Sequence, residues 1–433
     1  MARIEQPGTE SAASGLFYGW RMVAVAFVVD FIAVGFFFYS YGIFLKEITA
    51  DLAASRFAVS LGLSIANGIG ALFSPFIGRA LDRRPIKRIM ITGAFLVAAG
   101  FFALSLTAAI WQIYVVMGTL LAFGMSMMGG LASAKLVANW FEEKRGRALG
   151  IASIGVSFSG VVMPPLAAWM IAELGWRGGF QVYAALTVAI VVPLVTALVV
   201  NRPEDRGLRP DGGLQELQQP LRDASRDLHW RTRELLRDRN FWAIAIPFGL
   251  AFSSLSAVLV HLAPHASDLG FADRRAWIVS AAAGAGALGK PVFGHMIDRF
   301  DTRFTIWVSF GGQLLGVLLL MRGGEFGSLL SAALIFGFTM GGVVPVQGAV
   351  AAMAFGRLSF GKAMGLLRPV QIPIHMLGVP LAGWIFDSTG SYEIAFQIFA
   401  GFYIVAIAVV ATLRLDGRAP RRGAASDGEP GAA

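Results

Sequence analysis

GRALDRRPIKR, from Gly78 to Arg88, stands between two long apolar runs, and a looser copy, GHMIDRFDTR, begins at Gly294 in the same setting. Each has a glycine, an aspartate four residues later, an arginine after it and a trailing basic residue. Gly78 and Gly294 are separated by half of the 433-residue chain. Repetition at half-length means two homologous halves, each with a positively charged turn at the same place. The repeat extends further. GRALGIAS from Gly146 and GKAMGLLR from Gly361 keep nearly the same offset, as do Trp169 and Trp384.

The apolar runs decide the class. The chain is 56% hydrophobic and 15% charged, against roughly a quarter charged in an ordinary soluble protein. Fifty-two glycines fit helices that approach closely in a bilayer. Crossing about 30 Å of hydrocarbon takes about 20 apolar residues. That rule predicts an all-α membrane protein with twelve spans, at 20–45, 57–80, 88–109, 111–138, 146–172, 178–200, 241–264, 275–297, 304–321, 328–354, 362–386 and 393–414. They form two pseudo-symmetric six-helix bundles, 20–200 and 241–414, preceded by a tail, 1–19, and followed by a disordered tail, 415–433. The first residues lack the short apolar core of a cleaved signal peptide, so the first helix is expected to direct insertion itself.

Residues 201–240 are a polar linker with nine arginines and a predicted surface helix from Trp230 to Arg239. With both termini on one side, the opposite loops hold only Lys46, Arg56, Arg177, Arg274, Arg275 and Arg322. Lys135, Lys290 and Arg368 fall within spans, and the other 27 basic residues share the side of the termini. The positive-inside bias therefore places both termini in the cytoplasm of an inner-membrane protein. The formal charge of +9 belongs to those loops, and no nucleic-acid partner is implied.

The paired turns resemble the loop between the second and third helices of major facilitator superfamily transporters, with Pro85 where the family usually has a glycine. The resemblance covers all twelve spans. It implies that Gly78, Asp82 and Arg83, with Gly294, Asp298 and Arg299, are gating residues. Asp82 then meets the start of the eleventh helix near Gly361, and Asp298 the start of the fifth near Gly146. A carboxylate near a helix N-terminus contributes roughly 0.3–1 kcal/mol. A narrower resemblance, to the monocarboxylate transporter and oxalate-formate antiporter branch, rests on WFEEKRGRALGIASIGVSFSG (Trp140–Gly160), on Tyr18–Trp20 and on ALGKPVFG (Ala287–Gly294). Here Lys290 stands for the branch's eighth-helix arginine, Gly286 for its aspartate and Tyr39 for its first-helix lysine.

Charges inside spans cost at least about 2.5–3.5 kcal/mol, so they face a cavity or a partner. Lys290 and Arg368 lie roughly 12 and 10 Å from the linker side, on the eighth and eleventh helices, and form a candidate anion site. The oxalate-formate resemblance implies the same helices. Gln371 and His375, beyond Arg368, with Asn67 and Gln347, are candidate cavity residues. Asp30, roughly 15 Å into the first helix, is the proton-coupling candidate, or else a polar helix contact or a partner for Lys135. Lys135, near the end of its helix, is expected to snorkel, and His261 to lie at the interface.

No phosphate loop, HExxH, nucleophile elbow or cysteine is present, so no enzyme, cofactor or metal site is expected. The reading is a secondary active transporter of a small organic anion, working as a monomer by alternating access. Its main form is proton-coupled monocarboxylate symport. Organic anion exchange is the alternative, with a drug exporter or a transporter-like sensor further behind.

Overall fold

The computed structural model describes residues 17–142, 144–212, 230, 232–322 and 324–415. Without water in the hydrocarbon layer, every backbone N–H must be paired within its own segment, so the apolar runs fold as helices. Eleven helical segments are long and apolar enough to cross a membrane. One of them, Arg147–Leu198, has 52 residues and would run about 78 Å if straight, too long for one crossing. It breaks at Gly175 (φ 70°) into the fifth and sixth spans, which restores the predicted twelve.

The others are Gly19–Tyr39, Arg56–Arg83, Ile86–Ser105 and Ile110–Trp140 in the first bundle. The second holds Arg239–Asp268, Ala272–Ile297, Thr302–Leu320, Phe326–Gly356, Lys362–Thr389 and Glu393–Val410. Buried aromatic rings fill the first bundle, with Phe36 stacked on Tyr183 at 3.9 Å between centroids. In the second, buried Tyr403 donates to Gln313 at 3.0 Å.

The fourth span is broken at Met128-Gly129-Gly130, between two helical pieces, whereas at the matching Met340-Gly341-Gly342 of the tenth span both glycines keep helical backbone angles. Gly130 takes φ +33°, a backbone state that side chains resist.

The linker is tied to both bundles. Asp211 accepts from the backbone N–H groups of Glu142 (2.7 Å) and Lys144 (3.2 Å), and the Arg206 guanidinium lies 3.7 Å over the Tyr18 ring. Trp230 packs edge-on to Phe355, donates to Ser359 and accepts from Lys362. A helix at Thr232–Arg237 lies within the predicted surface helix. Residues 1–16, 213–229, 231 and 416–433 lie outside the described residues, and with them most of both predicted tails.

Candidate functional site: the path between the bundles

The bundles meet along the second and eleventh spans and along the fifth and eighth. Among the described residues, the hydrogen bonds and ion pairs joining them run from the face opposite the linker, the far face, to the level of Lys290. Ser64 donates to the Met376 carbonyl at 2.8 Å, and Ser280 to the Val161 carbonyl at 2.7 Å.

At the deepest of these contacts, the half-buried Lys290 ammonium donates to the Ser157 hydroxyl of the fifth span. Among the described residues no carboxylate meets it. The tenth span approaches its backbone closely at Gly341, where a Cβ would lie 2.9 Å from the Lys290 backbone nitrogen. Gly286 packs against the same span, its Cβ position 3.0 Å from the Gly337 carbonyl oxygen.

Arg368, Gln371 and His375 share one side of the eleventh span, spaced by three and four residues. Arg368 is exposed, whereas Lys290 is half-buried. Gln371 and Gln347 are both buried, joined at 3.1 Å, and the Gln371 amide nitrogen has no partner among the described residues. His375 Nε2 lies 2.7 Å from the Ser256 hydroxyl. It lines, with Asn67, Ser64 and Phe38, a cavity of about 10 Å³, room for one water. Two predicted cavity residues, Asn67 and His375, are thus brought together from opposite bundles.

Asp30 is buried and faces the broken fourth span, where its Oδ1 accepts from the Gly130 N–H at 2.8 Å. The carboxylate thus sits at the positive end of the helix Leu131–Trp140, which is the polar helix contact named above. It is not the partner of Lys135. Lys135 does not end in a free snorkelling ammonium: its Nζ reaches Asp82 at 2.6 Å. Asp82 is thereby held within its own bundle rather than at the eleventh span. In the second copy, Gly294 and Arg299 close the eighth helix, and the Asp298 side chain lies outside the described residues.

The far face holds a cluster that the sequence reading treated as loop charge. Arg56 is 7% exposed, with Nη1 2.6 Å and Nη2 2.9 Å from the two carboxylate oxygens of Asp268. It also donates to the Tyr392 hydroxyl at 2.6 Å and lies 3.5 Å over the Phe386 ring. Lys46 Nζ is 2.9 Å from the same Asp268, and Arg275 pairs with Glu47 at 3.1 Å. Asp387 accepts from the N–H groups of Arg56 (2.9 Å) and Phe57 (2.7 Å), capping the second span. His261 is not interfacial but fully buried in this cluster. Its Nε2 lies 2.9 Å from the Val379 carbonyl, which can only accept, so Nδ1 is the acceptor for the Tyr392 hydroxyl at 3.0 Å.

Residues 24–274 and 274–432 match the family model of the Major Facilitator Superfamily. The chain belongs to that superfamily. It is a family of transporters, not enzymes, and the twelve crossings and paired bundles are its fold. Curated relatives include monocarboxylate transporter 13 of Rattus norvegicus, 26% identical over 403 residues, with 92% of this chain and 89% of the relative covered. Monocarboxylate transporter 11 of Homo sapiens is 26% identical, with 88% and 80% covered. Among solved structures, a bacterial homologue of the human lysosomal transporter Spinster, in an inward-facing and occupied conformation, superposes with a TM-score of 0.67. It is 14% identical and covers 93% of this chain and 95% of its own.

Proposed function

We propose that this facilitator carries a small monocarboxylate together with a proton, by alternating access, across an inner membrane whose cytoplasmic side is the linker face. The observation that carries the reading is Lys290, an ammonium at the meeting of the bundles with a single hydroxyl for a partner among the described residues. An ammonium has three donors, so a substrate carboxylate can join Ser157 there and draw the two bundles together. The similarity to monocarboxylate transporters supports the substrate class. The excess of basic residues on the linker side supports the orientation.

Gln371, with a free amide donor, and His375, Asn67 and Gln347 line or border the path and serve as further substrate contacts in this reading. Arg368 joins them when the eleventh span moves. Asp30 carries the proton: its carboxylate form sits at the positive end of the helix Leu131–Trp140, and protonation weakens that contact. The far-face ion pairs hold the outer side closed, and the Asp82 turn closes the cytoplasmic side in the alternate state.

The test is binding and counterflow of a panel of carboxylates with purified protein. Lys290→Gln removes a charge-assisted hydrogen bond of roughly 1.5–3 kcal/mol, which weakens binding about 10- to 150-fold. Arg368→Gln is expected to weaken it as well, and Arg368→Lys to restore part of the loss. Wild-type carboxylate affinity in both the Lys290→Gln and Arg368→Gln variants rules the anion site out.

A further inference from the structure

The far-face cluster is more elaborate than closure alone requires. Arg56 and Lys46 both belong to the first bundle and both close on one carboxylate, Asp268, from the second. Arg56 grips both oxygens of that carboxylate in a fork, and Lys46 meets one of the same oxygens. This is the geometry by which a protein recognises a free carboxylate. Of the acids nearest in sequence, Asp51 is engaged by Arg177 within the first bundle, whereas Glu47 pairs across the face with Arg275 and parts from it on opening, leaving the fork of Arg56 without a carboxylate of its own. When the bundles part on this face, Asp268, Tyr392 and Phe386 leave with the second bundle. Two cations then remain on the first bundle, preset around a missing carboxylate.

We propose that Arg56 and Lys46 form a carboxylate-reception site at the outer mouth of the path, occupied by Asp268 whenever that face is closed. The ligand class is a small monocarboxylate, and in this respect the inference rests on the reading above. Reception is an exchange of partners. An incoming carboxylate takes the two cations as Asp268 departs. On closure Asp268 takes them back and frees the substrate to move toward Lys290. The protein's own aspartate and the substrate therefore compete for one fork.

Competition and closure are separated by the sign of two substitutions. The protein has no cysteine, so Ser64→Cys, in the cavity below the cluster, reports far-face opening by its labelling with an impermeant maleimide. In that background, purified full-length protein is reconstituted in vesicles, and Asp268→Asn, Arg56→Gln, Arg56→Lys and Lys46→Gln are compared. The ligand probes are acetate, lactate and pyruvate added at the far face. Both Asp268→Asn and Arg56→Gln break the closure and are expected to raise labelling. Their effects on far-face KM are expected to be opposite. Asp268→Asn lowers it by removing the competitor, and Arg56→Gln raises it by about tenfold, the scale of one charge-assisted hydrogen bond. Lys46→Gln raises it less, and Arg56→Lys, which keeps the charge and loses the fork, falls between wild type and Arg56→Gln. Arg56→Gln lowering KM together with Asp268→Asn overturns the inference and leaves a closure device only.

A readout that does not need transport keeps the two readings apart. A monocarboxylate that displaces Asp268 is expected to raise Ser64→Cys labelling with Arg56 present and to leave it unchanged in Arg56→Gln. If none of the acids is carried but this Arg56-dependent rise occurs, reception stands and the transport reading falls. If the acids are carried but no rise occurs, the transport reading stands and reception falls. Absence of both transport and the rise overturns both.

Discussion

Asp30→Asn separates two roles of one side chain. Its Oδ1 accepts from the Gly130 N–H at 2.8 Å, at the break in the fourth span. Asparagine keeps the accepting oxygen and removes the charge. A charge at a helix N-terminus contributes about 0.3–1 kcal/mol, up to about 2 when partly buried, and a hydrogen bond to a charged group about 1.5–3 kcal/mol. Asp30→Asn is therefore expected to unfold close to wild type in detergent, whereas Asp30→Ala, which loses oxygen and charge together, is clearly destabilised. Function divides differently. If the proton rides on Asp30, the asparagine variant cannot take it up or release it. Uphill accumulation driven by a pH gradient is lost, while counterflow of labelled substrate, which needs no net proton movement, continues. The assay is paired uptake and counterflow in the same vesicles. Wild-type uphill accumulation in Asp30→Asn refutes the reasoning and moves coupling to another group, with His375 next in the path.

Gly42 tests closure from the backbone side: a Cβ there would lie 2.2 Å from the Val260 carbonyl oxygen of the opposite bundle. Gly42→Ala is expected to hold the far face open, raising Ser64→Cys labelling and suppressing transport while carboxylate binding from that face survives. Asp82 and Lys135 are 59% and 38% exposed, so their ion pair contributes only about 0–1 kcal/mol. Asp82→Asn is expected to leave unfolding unchanged yet slow transport at equal expression, and Lys135→Gln to slow it less; equal, wild-type rates in both remove the gating role.

The architecture was legible because two independent signals agree: the length of the apolar runs and the half-chain repeat of the charged turn. The fifth and sixth spans, read as 146–172 and 178–200, are indeed divided, at Gly175. At the midplane, residue type was informative and side-chain direction was not. Lys290 was flagged, but its partner Ser157 carries no signal in the sequence, and the exposure of Arg368 could not be read from it. The far-face cluster was missed although a physical clue existed. Arg56 stands at the first residue of its helix, and Asp268 and Asp387 stand at or near the ends of theirs. Each charge opposes the dipole of its own helix, where it is unfavourable without outside help. Three such misplaced charges in loops counted only for topology were a sign that they meet one another across the bundles. His261 was misjudged for the same reason, because its burial depends on Tyr392 from the last loop.

The Met-Gly-Gly stretches of the two bundles each meet one charged residue, which offers a physical basis for coupling. In the first bundle the Gly130 amide is held by Asp30, and in the second the stretch packs against the backbone of Lys290. The two charges are of opposite sign, and each unneutralised charge in a span costs at least about 2.5–3.5 kcal/mol. Empty, the pair sums to zero; with a proton on Asp30 and a carboxylate on Lys290, it again sums to zero. Either ligand alone leaves a net charge in the path. Rocking of the bundles is therefore expected to be fast for the empty and doubly loaded protein and slow for the singly loaded one, which is the condition for symport. Asp30→Asn mimics permanent protonation, so the anion-loaded form still moves and the empty form, now with net positive charge, returns slowly. Adding Lys290→Gln restores neutrality without restoring the site. In the Ser64→Cys background, labelling without substrate is expected to be slow in Asp30→Asn and to recover in the double variant, which binds carboxylate weakly. Equal labelling in the single and double variants shows that summed charge does not control the rocking, and coupling then has to come from direct contact between the proton and anion sites.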